Sequence, residues 1–402
     1  MKDLVIGGGA SGMTAALTAA EDPRNTVTIL ERQSRVGRKL LATGNGRCNL
    51  TNLHASAVHY HGQNPEFVGP ALERFGVSDT LAFFKGLGLL TVSEPSGRVY
   101  PFSDQANSVV DVLRFALEQR GIDLRCGCEV VSIGKKARGF TVKTSEAAFY
   151  CDKLIVACGG PAGGKLGGTD LGCRLLQSMG HTVTDLRPAL VQLKTDCSAT
   201  RSLKGVRADA ALTLKRGGSA IAQTAGEVQF TDFGVSGPAV FELSREAAFG
   251  GDLVLLLDLV RPYTEETLID FFMMKRAKHP NLPLEDFLTG VLHNRLGRVV
   301  LKQAGLELSR QANTLTDREL HSAAHLVKFF PLNVTGVMGL DQAQVTAGGV
   351  RTLEFRPDTL ESRLCPGRFA AGEVLDIDGD CGGYNLQWAW SSGRIAGRLG
   401  KQ

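Results

Sequence analysis

Asp3-Leu4-Val5-Ile6-Gly7-Gly8-Gly9-Ala10-Ser11-Gly12-Met13-Thr14-Ala15-Ala16-Leu17 opens the chain with a short apolar run, a G-x-G-x-x-G and a small-residue segment. That order predicts strand, tight turn and helix. A second strand, Thr26 to Leu30, runs into Glu31-Arg32, close to where a ribose-binding carboxylate stands in a dinucleotide-binding βαβ unit. Gly7 can take a backbone shape costly for other residues, Gly9 lets the main chain approach a pyrophosphate, and Gly12 lets helix and strand pack closely. Glu31 can accept hydrogen bonds from ribose hydroxyls and would repel a 2′-phosphate, so the resident dinucleotide is not expected to be an NADP. The competing reading is a glycine-rich turn without a ligand. The frame of two strands with the acid in place argues against it.

At 402 residues the chain is long enough for two or three domains and a large core. Its 43% hydrophobic and 21% charged residues are ordinary for a globular protein, and a formal net charge of +4 gives no bulk sign of a nucleic-acid partner. Nine cysteines spread along the chain do not form the dense framework of a small secreted domain. Free thiols in a reducing cytoplasm are the simpler account. Met1 is followed almost at once by a core strand, and no apolar run approaches about 18 residues, so neither a signal peptide nor a membrane span is expected. No metal is expected.

Residues 35–52 are rich in cations, glycines and small polar groups and follow neither helical nor strand periodicity. Arg38, Lys39 and Arg47 could neutralise phosphates, with glycines turning backbone N–H groups toward an anion or a ring; the alternative is a solvated basic loop. Residues 66–92 read as two short helices with Leu81, Phe84 and Leu87 on one face, and Asn107 or Ser108 is positioned to cap a helix carrying Val109, Leu113, Ala116 and Leu117. Leu154 to Ala157 is a fully apolar strand ending in Cys158-Gly159-Gly160, as suits a buried parallel strand whose carboxyl end abuts a ligand. Asp170 can cap the helix that follows.

The rhythm changes near Arg187-Pro188. The domains expected are residues 1–188, a first part of a dinucleotide-binding domain; 189–262, an inserted β-rich domain; 263–330, an inserted helical domain with caps at Thr264 and Thr316; and 331–402, the return to the first domain. Only one G-x-G-x-x-G sits in a convincing βαβ frame, so no second Rossmann domain is available for a resident nicotinamide. The glycine-ended strand at Gly159, the Gly372-Glu373 strand and the Gly382-Gly383 helix start are what a long, bent FAD needs beyond its ADP end.

The sequence resembles the BaiN/RdsA family of FAD-dependent oxidoreductases, also known as aminoacetone-oxidase-like flavoproteins, over essentially its full length. The resemblance rests on Gly44-Asn45-Gly46-Arg47-Cys48-Asn49-Leu50-Thr51-Asn52, Phe230-Thr231 with Gly234-Val235-Ser236-Gly237-Pro238, Thr346-Ala347-Gly348-Gly349-Val350, Gly372-Glu373-Val374-Leu375-Asp376 and Gly383-Tyr384-Asn385-Leu386-Gln387-Trp388-Ala389-Trp390. It implies a mixed α/β fold: a Rossmann-type FAD-binding domain of the two-dinucleotide-binding flavoprotein type, interrupted by a β-barrel-like domain and a small helical domain. It also implies that Val130 lends backbone hydrogen bonds to adenine. Where many members carry a histidine after Phe-Thr, this chain has Asp232-Phe233, so a mechanism needing an imidazole there lacks its residue. The reading and the resemblance together set FAD against Gly7, Gly9, Ala10, Ser11, Gly12, Glu31, Arg32, Lys39, Thr43, Gly44, Asn45, Val130, Gly159, Gly372, Glu373, Gly382, Gly383, Tyr384, Asn385 and Leu386.

Reduced flavin delivers hydride from N5, so a proton donor is needed opposite it. The candidates are Cys48, whose cationic loop is expected to lower its pKa, and Tyr384, through its phenol. Packing is the alternative for the first, and ring stacking or support of the helix start for the second. Asp232 reads as a turn residue, and Arg98 and Tyr100 as a buried ion pair and a core tyrosine unless they face substrate. Three activities stay open. The first is reduction of an activated C=C in an enone-like small molecule, with NAD(P)H as transient donor. The second, implied by the resemblance, is ribosomal-RNA dihydrouridine synthesis, with Arg35, Arg38, Lys39 and Arg47 and the inserted-domain cations Lys194, Arg201, Lys204, Arg207, Lys215 and Arg216 on phosphates. The third is amine oxidation. A non-enzymatic FAD-binding protein would leave the flavin without a use. Substrate identity, nicotinamide preference and oligomeric state are not legible.

Overall fold

A run such as Leu4-Val5-Ile6 has no polar face to offer solvent, so it is stable only when covered on both sides. In the computed structural model, which describes residues 1–196 and 200–401, strand β1 (Lys2–Ile6) accordingly lies at the centre of a five-stranded parallel sheet. Its neighbours are β2 (Thr26–Glu31), then β3 (Asp123–Cys126), on one side, and β4 (Lys153–Val156), then β5 (Arg368–Ala370), on the other. The register sets Ile6 opposite both Leu30 and Val156, so the strands end together at the edge where the glycine turn begins. The outermost strand at one edge comes from the last tenth of the chain.

Helix α1 (Ala10–Ala19) follows β1 and is buried along nearly its whole length. Alanine favours helix, and it and the small polar residues Ser11, Thr14 and Thr18 leave room for close neighbours. Helix α2 (Ala106–Gln119) buries Val109, Val110, Leu113, Ala116 and Leu117, as its periodicity predicts. It starts two or three residues earlier than expected, with Gln105 at the N-cap and no side chain capping it, so Asn107 and Ser108 lie inside the first turn. Helix α3 (Tyr384–Gly397) packs against α1 in parallel. A Cβ on Gly393 would fall on the Ser11 carbonyl and one on Gly397 on the Ala15 carbonyl, so backbone meets backbone at two points one helical turn apart. Residues 69–74 and 77–86 form the two short helices predicted there.

The chain divides into two compact units, Met1–Arg187 with Leu340–Gln402, and Pro188–Gly339. In the second, Leu193–Thr195, Gly234–Ser236, Ser219–Phe230, Arg207–Arg216, Leu253–Asp258 and Phe330–Val337 close an antiparallel barrel. Alternation places Ala210, Leu212 and Leu214 of one strand and Leu253, Leu255 and Leu257 of the next inside. The helices Glu265–Lys278, Asn294–Gln303 and Asp317–Lys328 share this unit's core through Phe272, Leu296 and Val327. Thr264 accepts from the Thr267 N–H, and Thr316 with Glu319 forms the reciprocal capping box. Phe330–Val337, read from sequence as the return to the first domain from residue 331, instead closes the barrel; the return comes at Leu340. Among the described residues no helix is long and apolar enough to cross a membrane.

Candidate functional site

The three glycines of the opening motif are in three different situations. Gly7 has φ +105°, and a Cβ there would collide with the backbone at Ala157, the first residue past β4. A Cβ on Gly12 would overlap the Gly7 carbonyl oxygen, so helix and turn touch. Gly9, the N-cap of α1, is open: no heavy atom lies within 4 Å of its Cβ position. No side chain caps this helix and its first turn has no acid, so its N–H groups form a positive, donor-rich end facing open space. Glu31 closes the turn, its two carboxylate oxygens accepting from the N–H groups of Gly8 at 2.6 Å and Gln33 at 2.7 Å. Arg32 donates to the Gly167 carbonyl. The Cys128 N–H donates to the Glu31 carbonyl, bringing the segment before buried Val130 to the same strand end.

Residues 38–52 are more structured than their composition suggests. Arg38–Ala42 is a short helix, and Thr43–Gly46 turns with Gly44 and Asn45 both left-handed at φ +57° and +56°. Gly46 and Cys48 are left-handed too. Of these four, Gly44 and Gly46 take the shape freely, whereas the non-glycines Asn45 and Cys48 store backbone strain of the kind concentrated at ligand sites. Asn49 Oδ1, inside this loop, is buried without a hydrogen-bond partner among the described residues and lies beside the Gly383 Cβ position.

Cys48 does not have the activated thiol expected of it. Its side chain is 0% exposed, and burial pushes the thiol up to about 12. The cation next to it is turned away: Arg47 pairs with Asp104 and Glu94 and lies 3.9 Å over the Tyr100 ring. Lys39 and Arg38 are also engaged, Lys39 with Glu373 at 2.8 Å and Arg38 with Gln33 and the Lys165 carbonyl. Glu373 takes the Thr346 N–H on its other oxygen, so the Gly372 segment, the 346–349 loop and Lys39 meet beside Gly160. Gly159 is left-handed and open.

The second helix start is at Gly383, φ +106°, again with no side-chain cap. Because Gly393 lies level with Ser11, and Gly393 comes ten residues after Gly383 whereas Ser11 comes two after Gly9, α3 extends about 12 Å beyond the start of α1 in the same direction. Two uncapped, parallel helix N-termini therefore face the same way with an offset suited to a phosphate at one and a ring system at the other. Asn385 turns its amide back on the Gly379 N–H and carbonyl and the Asp380 carbonyl, bracing the loop rather than projecting outward. Leu386 is half-buried, and Gln387 is a buried crosslink to Thr51, Thr80 and Ser391. Tyr384 is buried, stacked on His59 at 4.3 Å between centroids and edge-on to Tyr60.

A cluster that sequence reading missed lies against this helix start. Asp380 is held by His59 Nδ1 at 2.9 Å and His61 Nε2 at 2.6 Å. Burial alone would raise the Asp380 carboxyl, but hydrogen bonds from His61 and His59 outweigh it and hold the group below its ordinary 3.8. The two histidines flank Tyr60 in a short strand antiparallel to Asp378–Gly379. The only local hint is the His-x-His spacing. In the other unit, Asp232 is exposed and ion-paired to Lys204, whose hydrogen bond lowers its pKa, so it is suited to staying a carboxylate rather than acting as an acid.

FAD fits this donor set: open backbone at Gly9, a carboxylate at the end of β2, an orphaned amide oxygen at Asn49, and a second uncapped helix at Gly383. Residues 1–399 match the family described as HI0933-like protein Rossmann domain. The chain is 41% identical to a 3-dehydro-bile acid delta(4,6)-reductase of Clostridium scindens, over 98% of this chain and 97% of that protein. It is 32% identical to a ribosomal RNA dihydrouridine synthase of Escherichia coli, over 97% and 95%. A solved 3-ketosteroid delta1-dehydrogenase of Sterolibacterium denitrificans shares the fold at TM-score 0.50 and 13% identity, covering 98% of both chains.

Proposed function

The chain belongs to the HI0933-like, BaiN/RdsA family of FAD-dependent oxidoreductases, and on that premise we propose that it reduces a carbon–carbon double bond conjugated to a carbonyl in a small, largely apolar molecule, with NAD(P)H as the transient electron donor. The observation that carries this reading is the pair of parallel, uncapped helix N-termini at Gly9 and Gly383. The first binds a pyrophosphate through N–H groups, with Glu31 on the neighbouring ribose. The second favours negative charge on whatever ring lies against it. FAD held there supplies hydride at its N5.

The remaining work belongs to the chain. The left-handed Gly44-Asn45 turn, backed by Tyr100, gives a close backbone floor. The Lys39–Glu373 pair ties that loop to the 372–374 segment and leaves Glu373 with lone pairs for a hydroxyl. Tyr384, wedged between His59 and Tyr60, presents a fixed ring at the helix start. Addition across an enone consumes one hydride and one proton, so the site also requires a proton source.

A second reading, reduction of a uridine in ribosomal RNA, is favoured by the full-length relative of that name. The barrel cations give it weak support: Lys204 is paired with Asp232, Arg207 with Glu227, and Arg216 with the Glu246 and Gly250 carbonyls. One experiment separates the readings. Purified holoprotein is reduced anaerobically and the flavin absorbance followed after adding either a steroid 4,6-dienone or large-subunit ribosomal RNA fragments. Rapid reoxidation by the dienone is expected. Reoxidation by RNA alone, with dihydrouridine in the product, would overturn the small-molecule reading, and peroxide formed with an amine in air would point to an oxidase instead.

A further inference from the structure

Alternation along a strand puts residues two apart on one face. In the strand Arg98–Pro101 that joins Arg98 with Tyr100, and the two reach the two backbone segments at the ring end of the site. The Tyr100 ring lies 3.2 Å from the Cβ position of Gly44, in the left-handed turn, and Arg98 Nε lies 3.5 Å from that of Gly382, one residue before the N-cap of α3. A neighbouring strand fixes this placement: Asn52 stands opposite Arg98, and Asn52 Nδ2 donates to the Gly382 carbonyl at 2.9 Å. Arg98 is thus held against the uncapped helix start that faces the ring.

The cations nearby are already engaged: Lys39 with Glu373, Arg38 with Gln33 and the Lys165 carbonyl, Arg47 with Glu94 and Asp104. The buried ion pair expected of Arg98 is not found. Arg98 is half-buried, and among the described residues no carboxylate lies within 4 Å of its guanidinium. It interacts with the Tyr100 phenol, whose pKa burial and then Glu94 raise against the opposing pulls of Arg98 and Arg47, so the phenol is neutral. The other titratable groups here are Tyr384, beside Gly382, and His54, beside Gly97, and neither is an acid that could pair with it. One phenol oxygen cannot use the five N–H donors of a guanidinium. Arg98 therefore keeps donors for a ligand, next to a helix end that itself favours negative charge.

From this placement, and resting on the reductase reading above, we propose that Arg98 is a catalytic residue: its guanidinium binds the carbonyl oxygen of the substrate and balances the negative charge that hydride transfer sends there. Tyr100 is its positioning residue. In the reaction, the hydride that NAD(P)H supplies forms a C–H bond at the β carbon, the C=C π pair moves between the α carbon and the carbonyl carbon, and the C=O π pair goes to oxygen. The enolate oxygen so formed sits on the guanidinium. A proton from water at the α carbon completes the addition and the carbonyl re-forms. Charge is made and lost on the substrate, so Arg98 donates hydrogen bonds throughout and gives up no proton. Donors set in advance at a developing oxyanion act more on the transition state than on the bound enone, whose oxygen carries only part of that charge.

The test has two arms, and the first needs no turnover. 4-Nitrophenol is a small aromatic oxyanion whose ionised and neutral forms absorb differently. Titrated into the oxidised, FAD-loaded full chain near the probe's own pKa, it should bind wild type as the phenolate. Arg98→Gln should raise its Kd about tenfold or more and remove the preference for the ionised form, with FAD content as the check on folding. Arg98→Lys, which keeps the charge, should fall between the two and carries the comparison if Arg98→Gln loads no FAD. A wild type that shows no preference for the phenolate, or a variant Kd that does not move, overturns the proposal whatever the substrate. In the second arm, single-turnover oxidation of reduced enzyme by a steroid 4,6-dienone should slow about a hundredfold or more in Arg98→Gln, the half-saturating dienone concentration changing far less. Rates within about twofold of wild type, or an effect confined to half-saturation, overturn it. If wild type reduces no dienone, the reductase reading fails while the phenolate arm still judges Arg98.

Discussion

Replacing Gly9 by alanine isolates the ligand from the fold. At φ −81° and ψ −170° an alanine is unstrained, and its methyl group would meet no protein atom within 4 Å. Two small effects oppose each other in the apoprotein. Loss of unfolded-chain freedom stabilises by about 0.4–1 kcal/mol, and alanine is the poorer N-cap by a similar amount. The net change should stay within about 0.5 kcal/mol. Binding is another matter, because the methyl would occupy the space through which a pyrophosphate reaches the N–H groups of α1. Losing one or two charge-assisted hydrogen bonds, each about 1.5–3 kcal/mol, should raise the Kd for FAD by roughly tenfold to ten-thousandfold. Titration of stripped apoprotein with FAD, read by quenching of flavin fluorescence, gives the affinity, and thermal melting of the same apoprotein gives the stability. Gly12→Ala is the contrast: its Cβ would overlap the Gly7 carbonyl, so stability should fall with affinity. Gly9→Ala binding FAD within twofold of wild type would refute the placement of the phosphates.

Two further outcomes concern buried titratable groups. Asp3 is 2% exposed in β1 with neither oxygen hydrogen-bonded, and burial raises its pKa to about 6. A raised acid stabilises the fold below its unfolded value of 3.8 and loses that contribution as pH rises through about 6. The shift corresponds to at most about 3 kcal/mol, with the opposing pull of the N-terminal ammonium and Lys153 already contained in it. Asp3→Asn should therefore be the more stable form at pH 8 and lack the decline between pH 4 and 6, measured by urea unfolding; identical pH profiles would sink the assignment. With a pKa near 12, about one Cys48 thiol in 10⁴ is ionised at pH 8. Mass spectrometry after brief alkylation of native protein should find exposed Cys126 modified and Cys48 untouched until denaturant is added.

What was legible in the sequence was what is decided locally. The strand–turn–helix over residues 3–19 follows from an apolar run, three glycines and an alanine-rich stretch, and Thr316 with Glu319 signals its own helix start. What was misread depended on distant partners. Phe330–Val337 carries no mark of the barrel it closes, because its partners Leu253–Asp258 and Leu193–Thr195 lie far back in the chain. The cations around Cys48 suggested an activated thiol. Their side chains instead face Asp104, Glu94 and Glu373, while tertiary packing removes the thiol from water. The His59–Asp380 contact spans 321 residues, and no local pattern encodes it.

The candidate site itself is of this second kind, and the reason lies in the packing of α1 against α3. Read alone, Gly393 and Gly397 are poor choices inside a helix, since glycine costs about 1 kcal/mol relative to alanine. Against α1 they are required, because the Ser11 and Ala15 carbonyls stand where side chains would go. The weak helix formers near the end of the chain thus fix the height at which α3 meets α1. That height sets the offset between the two open N-termini, and with it the distance a bound dinucleotide must span. A Gly393→Ala change should therefore weaken FAD binding by shifting α3 along or away from α1, although Gly393 lies about 15 Å from the helix start that faces the ring. The motif at residues 7–12 announces a nucleotide; the glycines at 393 and 397 decide whether the rest of the cofactor has a place to lie.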